Sequence, residues 1–190
     1  VPKYSNPTGV IYSDETIERF ASLKPAAEDF IVMWDNAYYV HEFEGEFKEI
    51  PNIFEVCEKY GSGDMFFEFC STSKITFPGA GITAVASSEE NIKYLTSKWM
   101  YQTLGNDKIN QLRHVKYLKN KKNILAIMRK HAEIIKPKFY AFFDAFEGEL
   151  ADSGIASWTK PKGGYFISLD TLPGCAKRTV ELMKEAGNHA

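Results

Sequence analysis

The sequence predicts an α/β fold, and three observations carry that expectation: short continuous apolar runs that end in polar residues, glycine- and serine-rich turns after them, and long helical periodicities downstream. Strands buried on both faces of a parallel sheet read as unbroken apolar stretches, whereas amphipathic helices return an apolar residue every three or four positions. At 190 residues and 21.6 kDa there is room for one large domain or a little more. A composition that is 44% hydrophobic and 25% charged excludes disordered and collagen-like chains.

Tyr4-Ser5-Asn6-Pro7-Thr8-Gly9 is a cluster of turn formers in which Pro7 biases Asn6 toward extended backbone, so a loop is expected. Ser13 then caps a helix with Asp14 and Glu15 in its first turn and Ile17, Phe20, Ala21 and Leu23 on its apolar face. Phe30 to Trp34 reads as a strand buried on both faces, with Asp35 at its C-terminal end. A second strand, Met65 to Cys70, runs into Ser71-Thr72-Ser73-Lys74, and a third, Ile82 to Ala86, follows Gly79 and Gly81. Beyond Ser88, the spacing of Ile92, Leu95, Trp99 and Leu104 is helical until Gly105-Asn106-Asp107 breaks it. A longer helical pattern extends from Lys108 to about Leu150, and Pro137 inside it predicts a kink or a new helix. The tail reads as a strand from Gly164 to Leu169, a Pro173-Gly174 turn and a helix from about Ala176 to Ala186.

The net charge of −2 implies no global attraction to nucleic acid or to an anionic membrane. No apolar run approaches the ~18–20 residues of a membrane span, and Val1 to Pro7 forms neither a signal nor a transit peptide, so a cytoplasmic protein is expected. Cys57, Cys70 and Cys175 are odd in number and widely spaced, which points to buried thiols and away from zinc or disulfides. Charge is nevertheless segregated: residues 13–64 carry 13 acids and 4 bases, and residues 107–138 carry 10 Lys/Arg and 2 acids. Two solvated faces account for this; alternatively the basic helix reaches an anion, with Lys108 and Arg113 best placed.

Lys74 is the most informative residue. It leaves a strand into a loop of hydroxyls and small residues, with Ser71 and Ser73 before it and Pro78, Gly79 and Gly81 after it. Such a loop lets an anion approach the backbone while two hydroxyls donate to it, and a partly desolvated lysine can form a Schiff base with a carbonyl. Serine- and glycine-rich turns after strands are also common for no chemical reason. Ser71-Thr72-Ser73-Lys74 literally matches the Ser-x-x-Lys motif of penicillin-binding proteins, but that motif opens a helix, and Pro78, Gly79 and Gly81 oppose one here. Asp35-Asn36-Ala37-Tyr38 forms the second constellation. Asp35 either caps a neighbouring loop or pairs with a protonated ring nitrogen, and Tyr38 is either core or a donor to a phenolate oxygen.

Asn6-Pro7-Thr8-Gly9, Asp35-x-x-Tyr38 and Ser71-x-Ser73-Lys74 follow one another with separations of 29 and 39 residues between Asn6, Asp35 and Lys74. Gly163-Gly164-Tyr165-Phe166 comes about ninety residues after the lysine. In this order the motifs closely resemble fold-type I, pyridoxal-phosphate-dependent aminotransferases of class I/II. The wording around Trp34 to His41, Ser71 to Gly81 and Gln111 to His114 is similar to a bacterial aspartate aminotransferase branch.

The resemblance implies the second half of the α/β large domain over residues 1–105, a long helical connection over 106–150, and part of an α+β small domain over 151–190. It implies pyridoxal 5'-phosphate as cofactor, an amino acid and a 2-oxo acid as substrates, and a homodimer. By the same resemblance, Lys74 is the catalytic lysine that forms the Schiff base and shuttles the proton. Asp35 holds the ring nitrogen protonated, Asn6 and Tyr38 bond the ring's 3-oxygen, and Ser71 and Ser73 donate to the phosphate. The Asn6–Pro7 bond becomes a candidate cis peptide, and His41 is assigned a structural role. Many members place a phosphate-gripping arginine seven or eight residues after the lysine, where this chain has Gly81 and Ile82. Arg113 is the expected substitute, with Lys108 beside it, acting on a partner subunit's site. The family's glycine/serine cradle and carboxylate-binding arginine lie outside these residues, so a fragment with little activity of its own is expected. The rival reading is the aminotransferase-like sensor domain of a transcriptional regulator, which binds cofactor without turnover; a structural remnant is a third.

Overall fold

A computed structural model describes residues 1–187. Ser13 accepts from Thr16 N at 3.1 Å and opens helix α1 (Asp14–Ala21), whose Ile17 and Ala21 are buried as the apolar spacing predicts. Strand β1 (Val32–Asp35) lies parallel to β2 (Phe66–Ser71), and β3 (Thr83–Ala86) closes the other side of β2 in the antiparallel sense. Between β1 and β2 runs a short helix, α2 (Ile53–Glu58), capped by Asn52, which the apolar pattern did not announce. Helices α1 and α2 cover one face of the sheet. Ile17, Ala21, Trp34, Ile53, Cys57 and Phe66 form the core there, and Trp34 meets Phe20 and Phe66 edge-on.

The expected strand buried on both faces is therefore corrected. Trp34 is 2% exposed, but its neighbour Met33, on the opposite face, is 68% exposed. No described helix packs on that side, and alternation does the rest. The sheet is also mixed, because β3 returns antiparallel through the loop of residues 72–82, which holds no helix that could carry a parallel crossover.

Downstream, α3 (Glu89–Trp99) starts on its Ser88 cap, and the pattern from Lys108 to Leu150 divides in two: α4 (Lys108–Leu118) and α5 (Lys121–Leu150). The division falls at Lys119, a non-glycine residue at φ 58, followed by Asn120, whose side chain accepts from Asn123 N. Pro137 does not start a new helix. It stands in an exposed turn of α5, where the carbonyl of Glu133 can turn to water once its donor is lost. In the tail, β4 (Ala156–Trp158) pairs antiparallel with β5 (Leu169–Thr171), and α6 (Ala176–Glu185) follows. The expected strand at 164–169 is thus displaced to its C-terminal end. Residues 163–166 are held instead against the loop that follows β1, through the Glu42–Gly163 bridge and Gly164 N donating to His41 O at 2.8 Å.

Of the cysteines only Cys57 is buried; Cys70, at the end of β2 beyond the helices, and Cys175 are exposed, which corrects the expectation for both. No described helix is long and apolar enough to cross a membrane. The segregated charges meet at one point, where Lys121 of α5 bonds Glu49.

Candidate active site

Parallel pairing of β1 and β2 brings their C-terminal ends to one edge of the sheet, the edge where α/β folds place their ligands. Asp35 leaves β1 there, in register with Phe69, and Asn36 N donates to Phe69 O at 2.7 Å. Ser71 ends β2 two residues further on. Asp35 Oδ1 accepts from Ala37 N at 3.0 Å, so one oxygen caps the turn, as the simpler reading of this residue holds. The residue is exposed, and its other oxygen has no hydrogen-bond donor among the described residues.

The lysine loop is built on Thr72. Its N donates to Ile82 O (2.9 Å), its hydroxyl accepts from Ile82 N (2.8 Å), and its carbonyl receives Ile75 N and Thr76 N at 2.9 Å each. Residues 72–76 consequently form a turn and not the start of a helix, which removes the Ser-x-x-Lys alternative. Ser71 and Ser73 stand with their hydroxyls 2.8 Å apart, and Ser71 Oγ also accepts from Ser73 N at 3.1 Å. Two hydroxyl protons serve one mutual bond, which leaves one free to donate outward.

Gly81 closes this loop. A Cβ there would fall 2.5 Å from Ser73 Oγ and 2.9 Å from Ser73 Cα and N, so no side chain fits without moving backbone. Position 81 therefore excludes an arginine as it excludes any other side chain. Gly81→Ala is expected to cost about 1–3 kcal/mol through overpacking, seen as a fall of several degrees in Tm.

Tyr38 is 5% exposed, boxed by His41, Tyr165 and Phe166 at centroid distances of 5.6, 6.1 and 5.8 Å. Lys74 Nζ lies 5.0 Å from the centre of its ring, a cation–π placement. Burial pushes the Tyr165 phenol above its usual range. The Asn6 loop forms the adjoining wall. The Asn6–Pro7 bond is cis, Gly9 N donates to Ser5 O at 2.6 Å, and a Cβ on Gly9 would strike Pro161 at 2.7 Å. Tyr4 presses so closely on Gly163 that a Cβ there would lie 2.4 Å from the phenol ring.

Lys74, Tyr38 and the serine pair are thus brought together beside the strand end that carries Asp35, with the Asn6 loop joined to them through residues 161–166. Arg113 is not brought into contact with them. It stays exposed on α4, whose loop-facing residues are Asn110 and His114, four apart on one helix face. Asn110 Nδ2 donates to Ala80 O at 2.9 Å, and His114 Nε2 meets Thr76 Oγ1 at 2.8 Å. Sequence reasoning missed these two and Lys3, which is wholly buried and bonds Tyr39 O, Lys48 O and Glu42. The i, i+4 pairing of Asn110 with His114 was the available signal for the first two.

Parallel strands that release a carboxylate and a serine-flanked lysine at one sheet edge, with a tyrosine ring against the lysine's ammonium, are the arrangement of a fold-type I aminotransferase. The chain belongs to the aspartate aminotransferase family: the profile described as "Aspartate amino-transferase" matches residues 1–189. An aspartate aminotransferase of Corynebacterium glutamicum is 44% identical over 187 residues, which are 98% of this chain and 43% of that protein. The crystal structure of an aspartate transaminase from the same species superposes with a TM-score of 0.95 at 44% identity, over 98% of this chain and 44% of that one. A kynurenine aminotransferase of Pyrococcus horikoshii, solved with PMP, is similar at 26% identity and a TM-score of 0.74, over 98% and 44% of the two chains. The chain spans less than half the length of these relatives.

Proposed function

We propose that this chain carries the lysine-bearing half of a pyridoxal-5'-phosphate-dependent aminotransferase that moves an amino group between an amino acid, aspartate by its relatives' names, and a 2-oxo acid. The observation that supports it most is Lys74 Nζ over the Tyr38 ring, beside the paired serines and at the sheet edge that releases Asp35. The residues fit the cofactor chemically. The serine hydroxyls and the loop cleared by Gly81 suit its phosphate, Asn6 and Tyr38 its 3-oxygen, and the uncapped oxygen of Asp35 its ring nitrogen.

When bound, the cofactor supplies an electron sink that makes the substrate's α-proton removable. The chain's own groups do the rest. Asp35 would hold the proton on the ring nitrogen. Lys74 Nζ would hold the cofactor and, when its amine is free, would be the base that takes the substrate's α-proton and the acid that delivers it to the cofactor's carbon. Tyr38, boxed by Tyr165 and Phe166, gives that amine an aromatic face to rest against. Residues 1–105, 106–150 and 151–190 form the large-domain half, the helical connection and the small-domain part. The site is completed by a homodimer in the cytoplasm, where Lys108 and Arg113 add positive charge to the partner's phosphate, and the chain by itself turns over little.

Borohydride treatment in the presence of pyridoxal 5'-phosphate tests the reading. The expected result is one pyridoxyl group that survives dialysis in the wild-type chain and is lost in Lys74→Ala. Equal labelling of the Lys74→Ala chain overturns it.

A further inference from the structure

The position of Lys74 depends on more than the strand before it. Its carbonyl oxygen is approached by two side chains from distant parts of the sequence, His41 Nε2 and the Tyr165 hydroxyl, each at 3.4 Å. Both are long hydrogen bonds that share one acceptor. A carbonyl only accepts, so Nε2 carries the proton and His41 is the neutral Nε2–H tautomer. Its Nδ1 is then a bare acceptor, buried and without a partner among the described residues.

That arrangement is expensive for a residue 4% exposed. A phenylalanine would fill the same space and leave no orphaned nitrogen, so packing does not explain the histidine. What the imidazole adds is its one donor, and that donor is spent on the carbonyl of Lys74. The ring also stands edge-on to Tyr38 at 5.6 Å and to Tyr165 at 5.3 Å. The histidine's backbone receives Gly164 N on its carbonyl (2.8 Å) and donates its N–H to Tyr38 O (3.1 Å). One residue therefore touches the lysine's backbone, the aromatic ring under the lysine's ammonium, and the segment that carries Tyr165.

We infer that His41 is a positioning residue for Lys74: with Tyr165 as second donor, it fixes the lysine's backbone and the Tyr38 ring as one unit, so that the amine keeps its aim when it is free of the cofactor. The inference rests on Lys74 being the cofactor lysine. Desolvation holds the imidazole neutral, its pKa pushed down to about 4, so the donor arrangement persists across the physiological range.

Three measurements decide it. In the wild-type chain, long-range ¹H–¹⁵N NMR of His41 at pH 7 should show the Nε2–H tautomer; an Nδ1–H ring or an imidazolium overturns the inference without any variant. His41→Phe keeps a ring and removes the donor, whereas His41→Gln returns an N–H of similar reach. Amide exchange of Ile75 and Thr76, both bonded to Thr72 O, should accelerate by up to about tenfold in the Phe variant. It should stay near wild type in the Gln variant, with protection of β2 unchanged in both. Capture of pyridoxal 5'-phosphate, followed by absorbance, should slow in the same order. Wild-type behaviour of His41→Phe, or failure of His41→Gln to rescue, overturns the inference. Should His41→Phe not fold, Tyr165→Phe removes the second donor from a partly exposed position, and unchanged exchange there has the same meaning. Labelling that persists in Lys74→Ala defeats the functional reading instead, and the exchange data still stand or fall by themselves.

Discussion

Lys3→Met lowers the melting temperature by roughly 10 °C, the equivalent of about 3–5 kcal/mol. Lys3 is fully buried, and its ammonium meets the Glu42 carboxylate and the carbonyls of Tyr39 (2.8 Å) and Lys48 (2.5 Å). It also lies 4.4 Å from the centre of the Phe47 ring and 4.9 Å from that of Tyr39. Desolvation pulls its pKa down and the carboxylate of Glu42 opposes the shift. Methionine keeps the length of the stem but strands a carboxylate and two carbonyls in a nearly dry site. The largest part of the loss is that uncompensated charge, so a second change, Glu42→Gln, should recover part of it. Thermal unfolding of the two single variants and the double variant measures the coupling. Additive losses would show that the pair carries no joint stabilisation.

Acidification from pH 7 to pH 4 removes up to about 3 kcal/mol through His41 alone. Its folded pKa of about 4 lies below the usual 6.5 because burial disfavours the cation. The positive charges of His131 and Lys74 add to this, and the negative ends of the nearby Lys74 and Tyr38 carbonyls oppose it. The unfolded chain thus binds the proton first. The contribution is complete above pH 6.5 and is lost progressively as pH falls toward 4. Carboxylates titrate in the same window, so the comparison that isolates the histidine is wild type against His41→Gln, by urea midpoint at pH 7 and pH 4.5. The wild type should lose more stability than the variant over that interval; parallel losses would contradict the assignment.

The strands and the residues at their exits were legible because a buried strand and its polar terminus are local features. β1, β2 and β3 fall within two residues of the apolar runs at Phe30, Met65 and Ile82, and Asp35 and Lys74 sit where those runs end. The Asn6 loop and the break before α4 were legible for the same reason. What depended on contacts between distant segments was not. Nothing near Lys3 announces a partner 39 residues away, and Tyr165 reaches Lys74 across 91. Arg113 was favoured for its charge, whereas helical rotation presents the neutral amide of Asn110 and the ring of His114 to the loop. Pro137 was read by its general behaviour, which an exposed turn of a long helix accommodates. The exposure of Met33 has a related cause, since an apolar run does not say on how many sides it will be covered.

The contact between Gly81 and Ser73 also constrains protein engineering of this site. Grafting an arginine onto position 81 to strengthen anion binding would displace the serine backbone before the guanidinium could contribute, so the two changes cannot be separated. Ile82 offers a different starting point: its N–H and carbonyl are both pinned to Thr72, and its side chain is only half-buried. A cation introduced there would extend from a backbone already fixed, leaving the hydroxyl pair of Ser71 and Ser73 where it stands.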